Sequence, residues 1–178
     1  LIFVDEASFC SAGSSSKVYG LIGQRPVMHQ INSVTERIYA ISGITPRGEL
    51  FKQVKSSPFN SKDIICFLDQ LLKQLDGQLN IIWDNASIHC SQQIRNFLRK
   101  DGAARSRLTL YSTPVYCPWY NPDEQVWNYL KAEYMPHRWC RSKAHLARTV
   151  REGFDQLAQL PQRIRKAFRH PDVKLMYY

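Results

Sequence analysis

The sequence predicts an α/β domain built on a mixed sheet with helices on its faces. Three observations carry this. Leu1-Ile2-Phe3-Val4 and Leu79-Asn80-Ile81-Ile82-Trp83 are short, nearly continuous apolar runs, the pattern of strands covered on both sides. Arg37 to Ile44 alternates, turns at Thr45-Pro46-Arg47-Gly48 and returns over Glu49 to Lys55 as an antiparallel hairpin. Elsewhere apolar residues recur at helical spacing. With 178 residues the chain is about one domain. Apolar residues at 44% and charged residues at 22% exclude wholesale disorder. No run reaches the roughly 18–20 apolar residues that cross a bilayer, and no signal-peptide pattern opens the chain. It starts inside an apolar run without Met, so it reads as a piece of a longer protein.

The elements follow in order. The first strand ends in Asp5-Glu6, and the Ser-rich residues 11–16 with Gly13 form a loop. After the hairpin, Asn60-Ser61 supplies an N-cap and Asp63 suits the first turn of a helix to Leu75, with Ile64, Leu68, Leu71 and Leu75 on one face. Gly77 ends it, and the strand that follows also closes on an acid, Asp84. Ser91 caps a helix to Lys100 with Ile94, Phe97 and Leu98 inward, and Leu108 to Tyr111 is a strand. A Pro-punctuated aromatic loop, Pro114 to Tyr120, leads to a helix with Asn121 as cap and Pro122 at its first position. Ser142 opens a helix with Leu146, Val150, Phe154 and Leu157 on one face, read either as core or as a dimer surface, and Pro161 starts a short basic helix through His170.

The five cysteines are scattered, with no C-x-x-C pair; His137 and Cys140 make one half-site, too little for a structural metal. Free thiols suit a reducing, cytoplasmic compartment. Residues 1–89 balance eight Lys/Arg against eight Asp/Glu, whereas residues 90–178 carry sixteen against seven. The whole excess of +9 therefore sits in the second half, as for a surface that gathers nucleic acid or for a solvated basic face.

Three acids stand out by position: Asp5 and Asp84 at strand ends, where α/β sheets gather ligands, and Glu124 in the first turn of its helix. Crowded carboxylates repel, and a divalent cation relieves them. Each also has a plain reading: Asp5 and Asp84 as caps of the turns that follow, Glu124 as the partner of Asn121 in a capping box.

Phe3-Val4-Asp5-Glu6, Trp83-Asp84-Asn85-Ala86-Ser87-Ile88-His89 and Asn121-Pro122-Asp123-Glu124-Gln125-Val126-Trp127-Asn128-Tyr129-Leu130-Lys131 resemble the three acidic motifs of DDE transposases. The likeness is to the bacterial insertion-sequence branch of the mariner superfamily. Gly23-Gln24-Arg25-Pro26 and the Gly43 to Phe51 hairpin resemble its intervening segments, so the likeness covers about residues 1–160. It implies an RNase H-like fold, three antiparallel strands followed by two parallel ones, over a single catalytic domain spanning 1–178. It further implies Asp5, Asp84 and Glu124 as ligands of two Mg²⁺ or Mn²⁺ ions. The implied reaction is hydrolysis at transposon ends, then attack of the freed 3′-hydroxyl on target DNA at a deformable TA step. A homodimer is implied too. The amino-terminal helix-turn-helix of the family is absent from this chain. Thirty-nine residues separate Asp84 from Glu124, longer than is usual in this branch, and Asp101 to Arg107 reads as the loop that takes up the length.

Around the triad, Glu6 reads as an outer acid or, because neighbouring strand residues face opposite ways, as a salt-bridge partner. Asn85 and His89 orient a ligand or serve the turn and helix start. Tyr116, Trp119 and Tyr120 stack on unpaired bases or pack the Glu124 helix on the sheet with Trp127. Lys131, Arg138, Arg141 and Lys143 follow the acidic helix and suit DNA phosphates. Two rivals share these features: a catalytically silent DNA-binding remnant of a transposase, and an RNase H-like nuclease without strand transfer.

Overall fold

The first strand outruns the apolar run that predicts it. In a computed structural model, which describes residues 1–11, 22–23, 36–100, 102–114, 117–135, 140–169 and 171–174, β1 spans Ile2–Cys10. The Ser-rich stretch beyond Ser11, Gln24 to Pro26, Tyr116, and His137 with Arg138 lie outside the described residues. β1 pairs antiparallel with β2 (Arg37–Ile44) from Phe3↔Ile44 to Cys10↔Arg37, and this partner carries it past Asp5-Glu6. Asp5 is thus a mid-strand residue, opposite Ser42, and not a strand end.

β2 pairs antiparallel with β3 (Leu50–Lys55) through a turn in which Gly48 has φ +90° and its N–H donates to the Thr45 carbonyl. β4 (Leu79–Trp83) lies parallel to β1, but only Ile2↔Ile81 and Phe3↔Ile82 pair; β5 (Leu108–Ser112) lies parallel to β4. The order β3-β2-β1-β4-β5 is the mixed sheet of the RNase H-like fold. Beyond Phe3 the two central strands part, and both Asp5 and Asp84 lie just past that point.

Alternation sorts the core into two layers. Phe3, Phe9, Ile38, Ala40, Ile44 and Ile82 face the carboxy-terminal helices, while Ile2, Val4, Ile41, Ile81 and Trp83 face the helices that precede and follow β4. On the second face, α1 (Ser61–Gln74) begins at a capping box in which the Asn60 side chain accepts from the N–H of Lys62 and Asp63, and Asp63 accepts from the N–H of Asn60. α2 (Gln92–Lys100) follows Ser91 and buries Ile94. The stretch expected to be an Arg-rich loop is a short helix, α3 (Gly102–Arg107). Its last residue ends α1: the Arg107 guanidinium donates to the carbonyls of Leu72 and Gly77 at 2.9 Å each, and to that of Leu75. A cation at the end of a helix offsets its unpaired carbonyls.

On the first face, α4 (Glu124–Asn128) continues as a π-helical turn over Tyr129–Tyr134. It starts two residues later than Pro122 predicts, because the Asn121 side chain accepts from the Asp123 N–H at 3.1 Å and holds Pro122-Asp123 in a turn. α5 (Lys143–Ala158) is capped by Ser142, and its stripe Leu146, Val150, Phe154 and Leu157 is core, none more than 2% exposed. Gly153 lets α5 close on the π turn: a Cβ there would stand 2.6 Å from Tyr134 and 2.7 Å from Leu130. α6 (Pro161–Ala167) and α7 (Pro171–Lys174) finish the layer, α6 stopping short of the expected His170. Among the described residues no helix is long and apolar enough to cross a membrane.

Candidate active site

Asp5 sits where β4 leaves β1, on the face covered by α4. One carboxylate oxygen accepts from the Glu6 backbone N–H at 2.8 Å and the other from the Trp127 indole N–H at 2.9 Å. Trp127 is fixed in the core edge-on to Phe9 and Phe154. Burial lifts Asp5 from 3.8 to about 7, against the pull of its two hydrogen bonds and with help from the charges of Glu124 and Glu6.

Asp84 follows β4, just past the last β1–β4 pair, Phe3↔Ile82. Its Oδ1 accepts from the Ala86 N–H at 2.9 Å and faces His89 Nδ1 at 3.0 Å. The His89 ring is wholly buried, stacks on Trp83 with centroids 4.3 Å apart, and turns Nε2 to Glu6 Oε1 at 3.0 Å. Burial disfavours its charged form, but the hydrogen bonds to Asp84 and Glu6 outweigh that and raise His89 to about 10. Both ring nitrogens therefore carry protons, and the His89 bond holds Asp84 below the ordinary carboxylate range. Glu6 is engaged by this imidazolium. Asn85 donates to the Thr113 carbonyl at 2.7 Å, tying the turn after β4 to the end of β5.

The third element brings two acids. Asp123 is fully buried with the Ser42 hydroxyl 2.9 Å from each of its oxygens; burial first, then the charge of Asp5, raises it well above the usual range. Glu124 is half-buried and its charge acts on both Asp5 and Asp123. As the first residue of α4 it does not hold the third helical position that a capping box requires. Sequence reasoning missed Asp123, Ser42 and the Trp127 bond. Ser42 was the available signal: a lone hydroxyl among Ala40, Ile41, Gly43 and Ile44 in a buried strand asks for a partner.

Among the described residues, no three acid, imidazole or thiol groups form a ready metal-ligand cluster. Asp5 is turned to Trp127 and Asp84 to His89. The donor chemistry nevertheless fits Mg²⁺ or Mn²⁺. Hard carboxylate oxygens lie on three segments, and the charges of Glu124 and Glu6 bear on Asp5 in a partly dry space, a repulsion that a divalent ion would relieve.

Of the residues expected to meet DNA, Arg141 and Lys131 are exposed and Lys143 is half-buried, with the Lys131 ammonium 5.5 Å from the centre of the Phe9 ring. Trp119 is 53% exposed and tilted against the half-buried Tyr120, so Trp119 does not pack α4 onto the sheet; Trp127 does.

The fold is shared with solved transposase structures. The chain resembles the Mos1 mariner paired end complex with Mn at a TM-score of 0.69 and 12% identity, over 99% of this chain and 56% of that one. The catalytic domain of Mos1 mariner transposase matches at 0.56 and 11%, over 93% and 79%. The description DDE superfamily endonuclease fits residues 1–147, and the chain belongs to that family. An insertion element IS630 uncharacterized 39 kDa protein of Shigella sonnei is 30% identical over 108 residues, 57% of this chain and 30% of that protein. The chain thus spans less than a third of that curated relative and about half of the paired end complex chain.

Proposed function

We propose that this chain is the catalytic domain of a transposase that cleaves DNA at transposon ends and joins the freed 3′-hydroxyl to target DNA. Asp5, Asp84 and Glu124 would hold two Mg²⁺ or Mn²⁺ ions, whose chemistry when bound is to activate a water and stabilise the leaving oxygen of a phosphodiester. The observation that supports this reading most is Asp5, lifted to about 7 by burial and by the charges of Glu124 and Glu6, at the point where β1 and β4 stop pairing.

The chain's own residues do the rest. Trp127 and the Glu6 N–H fix both oxygens of Asp5, so its lone pairs are aimed before any substrate arrives. Asp84 is kept ionised by His89. Asp123, pushed well above the usual carboxylate range by burial and by the charge of Asp5, takes the Ser42 hydroxyl and supports the start of α4. The exposed Lys131 and Arg141, with Lys143, bind backbone phosphates, and Trp119 offers a ring to an unpaired base at a cleaved end. Target choice at TA, a homodimer and end recognition by an amino-terminal helix-turn-helix belong to the same reading; solved relatives include a Mos1 strand transfer complex.

The test is Asp84→Asn in the full-length protein with Mg²⁺ and labelled transposon ends. Cleavage should disappear while non-specific DNA affinity stays near normal. Equal cleavage by variant and parent would discard the assignment of Asp84. Cleavage without joining would leave a nuclease, and DNA binding without cleavage by the parent would leave a silent remnant.

A further inference from the structure

His89 is not needed by the triad as such, yet it is the one buried imidazole among the described residues and it is held on three sides. Trp83 stacks under it at an interplanar angle of 5°, Nε2 meets Glu6 Oε1, and Nδ1 lies 3.0 Å from Asp84 Oδ1 and 3.1 Å from the Asp84 carbonyl. Asp84 Oδ1 is thereby saturated, by Nδ1 and by the Ala86 N–H, whereas Oδ2 takes no hydrogen bond from a described residue. The Asp84 side chain is 54% exposed. One oxygen is thus tied inward and the other left to solvent.

The sheet explains why such a tie is placed here. β1 and β4 stop pairing at Phe3↔Ile82, so no backbone ladder fixes Asp84 relative to Asp5. The link Glu6–His89–Asp84 crosses that gap, running from β1 through the ring to the turn after β4.

We propose that His89 is a positioning residue: clamped between Trp83 and Glu6, it pins Asp84 Oδ1 and presents Oδ2 as the single free ligand oxygen. The inference rests on the reading of Asp84 as a cation ligand. Glu6 on this view anchors the ring and is not itself a ligand. An outer partner that orients a ligand typically changes metal affinity or activity about 10–100-fold when removed.

The two ring nitrogens can be separated by substitution. Asn places an amide N–H near the position of Nδ1, and Gln places one near Nε2. His89→Asn therefore keeps a donor for Asp84, and His89→Gln keeps one for Glu6. Mn²⁺ binding to the chain is followed by electron paramagnetic resonance, beside urea unfolding of each variant. His89→Gln should bind Mn²⁺ at least about tenfold more weakly than His89→Asn. A merely structural His89 would give equal Mn²⁺ affinities whatever the unfolding midpoints, and that result overturns the proposal. Should His89→Gln fail to fold, Glu6→Ala and Glu6→Gln carry the test. Both remove the charge, but only Glu6→Ala removes the ring's anchor, so it should bind Mn²⁺ more weakly than Glu6→Gln; equal affinities refute the clamp. Asp84→Asn is the reference: unchanged Mn²⁺ binding there would sink the reading of Asp84 itself, whereas a loss there with no difference between the His89 variants would sink only the clamp.

Discussion

In the metal-free protein Asp5→Asn should gain stability relative to the parent as pH rises from 4 to 8. A buried acid whose folded value is about 7 against 3.8 keeps its proton in the fold after the unfolded chain has lost it. Stability is therefore unaffected below 3.8, falls as pH rises, and levels off above about 7. At 1.36 kcal/mol per unit the loss has an upper limit of about 4 kcal/mol, lowered by solvent at the partly covered carboxyl. Asn removes this titration. Its amide also sets an N–H₂ against one of two donors, Trp127 Nε1 or the Glu6 N–H, an offset of about 1–3 kcal/mol that does not depend on pH. Asp123, raised in part by the charge of Asp5, adds to the slope in the same direction. His89 adds a loss that runs from 6.5 to about 10, but parent and variant share it, so it cancels in their difference. Asp84, lowered in the fold, loses its contribution only as pH falls below the ordinary range. The assay is urea unfolding of parent and variant from pH 4 to 8 in chelator. A stability difference that stays constant across that range would refute the account of Asp5. Adding Mn²⁺ at pH 8 should then stabilise the parent more than Asp5→Asn.

Other perturbations test the scaffold. Gly153→Ala should destabilise the fold by about 1–3 kcal/mol in thermal unfolding, because its Cβ has no room against Tyr134 and Leu130. Ser42→Ala should lower stability by about 1–3 kcal/mol by leaving the buried Asp123 without its hydrogen bond, whereas Asp123→Asn, close in shape to the neutral acid, should be milder in the same denaturation assay. Arg107→Ala should loosen the end of α1, seen as faster amide exchange near Leu72 to Leu75, since one guanidinium serves three carbonyls there.

What was legible in the sequence was whatever a local pattern encodes. The strand Arg37–Ile44 and the Asn60 cap follow from alternation and cap chemistry, and the order of elements sufficed for the mixed sheet. The misplaced boundaries share a cause in partners distant along the chain. β1 reads as ending in Asp5-Glu6 because the apolar run stops there, yet β2 pairs with it to Cys10. Residues 101–107 read as a loop, but the described helix over Gly102–Arg107 buries Ala104 and delivers Arg107 to α1. The helix after Pro122 starts late because the Asn121 side chain closes a turn first, and nothing local announces the π turn that Gly153 accommodates from the next long helix. At the candidate site, the acidic motifs named Asp5, Asp84 and Glu124, while the groups that set their chemistry, Trp127, Ser42 and Asp123, depend on β2 and α4 meeting over β1.

The unequal strand pairing explains why acids can be gathered here at all. β1 must be long to hold β2, whereas β4 pairs with it over two residues only, so the middle of β1 keeps one edge free. A carboxylate on a fully paired central strand would be sealed in core; at this free edge Asp5 is half-covered, dry enough to be shifted and open enough to be reached. The apolar layers on both faces fix the backbone around it. The penalty of holding Asp5 and Asp123 among other acids is thus carried by parts of the fold that take no part in the chemistry. A site built this way is most strained when metal-free and ionised, and for that reason a divalent cation should raise stability as well as activity.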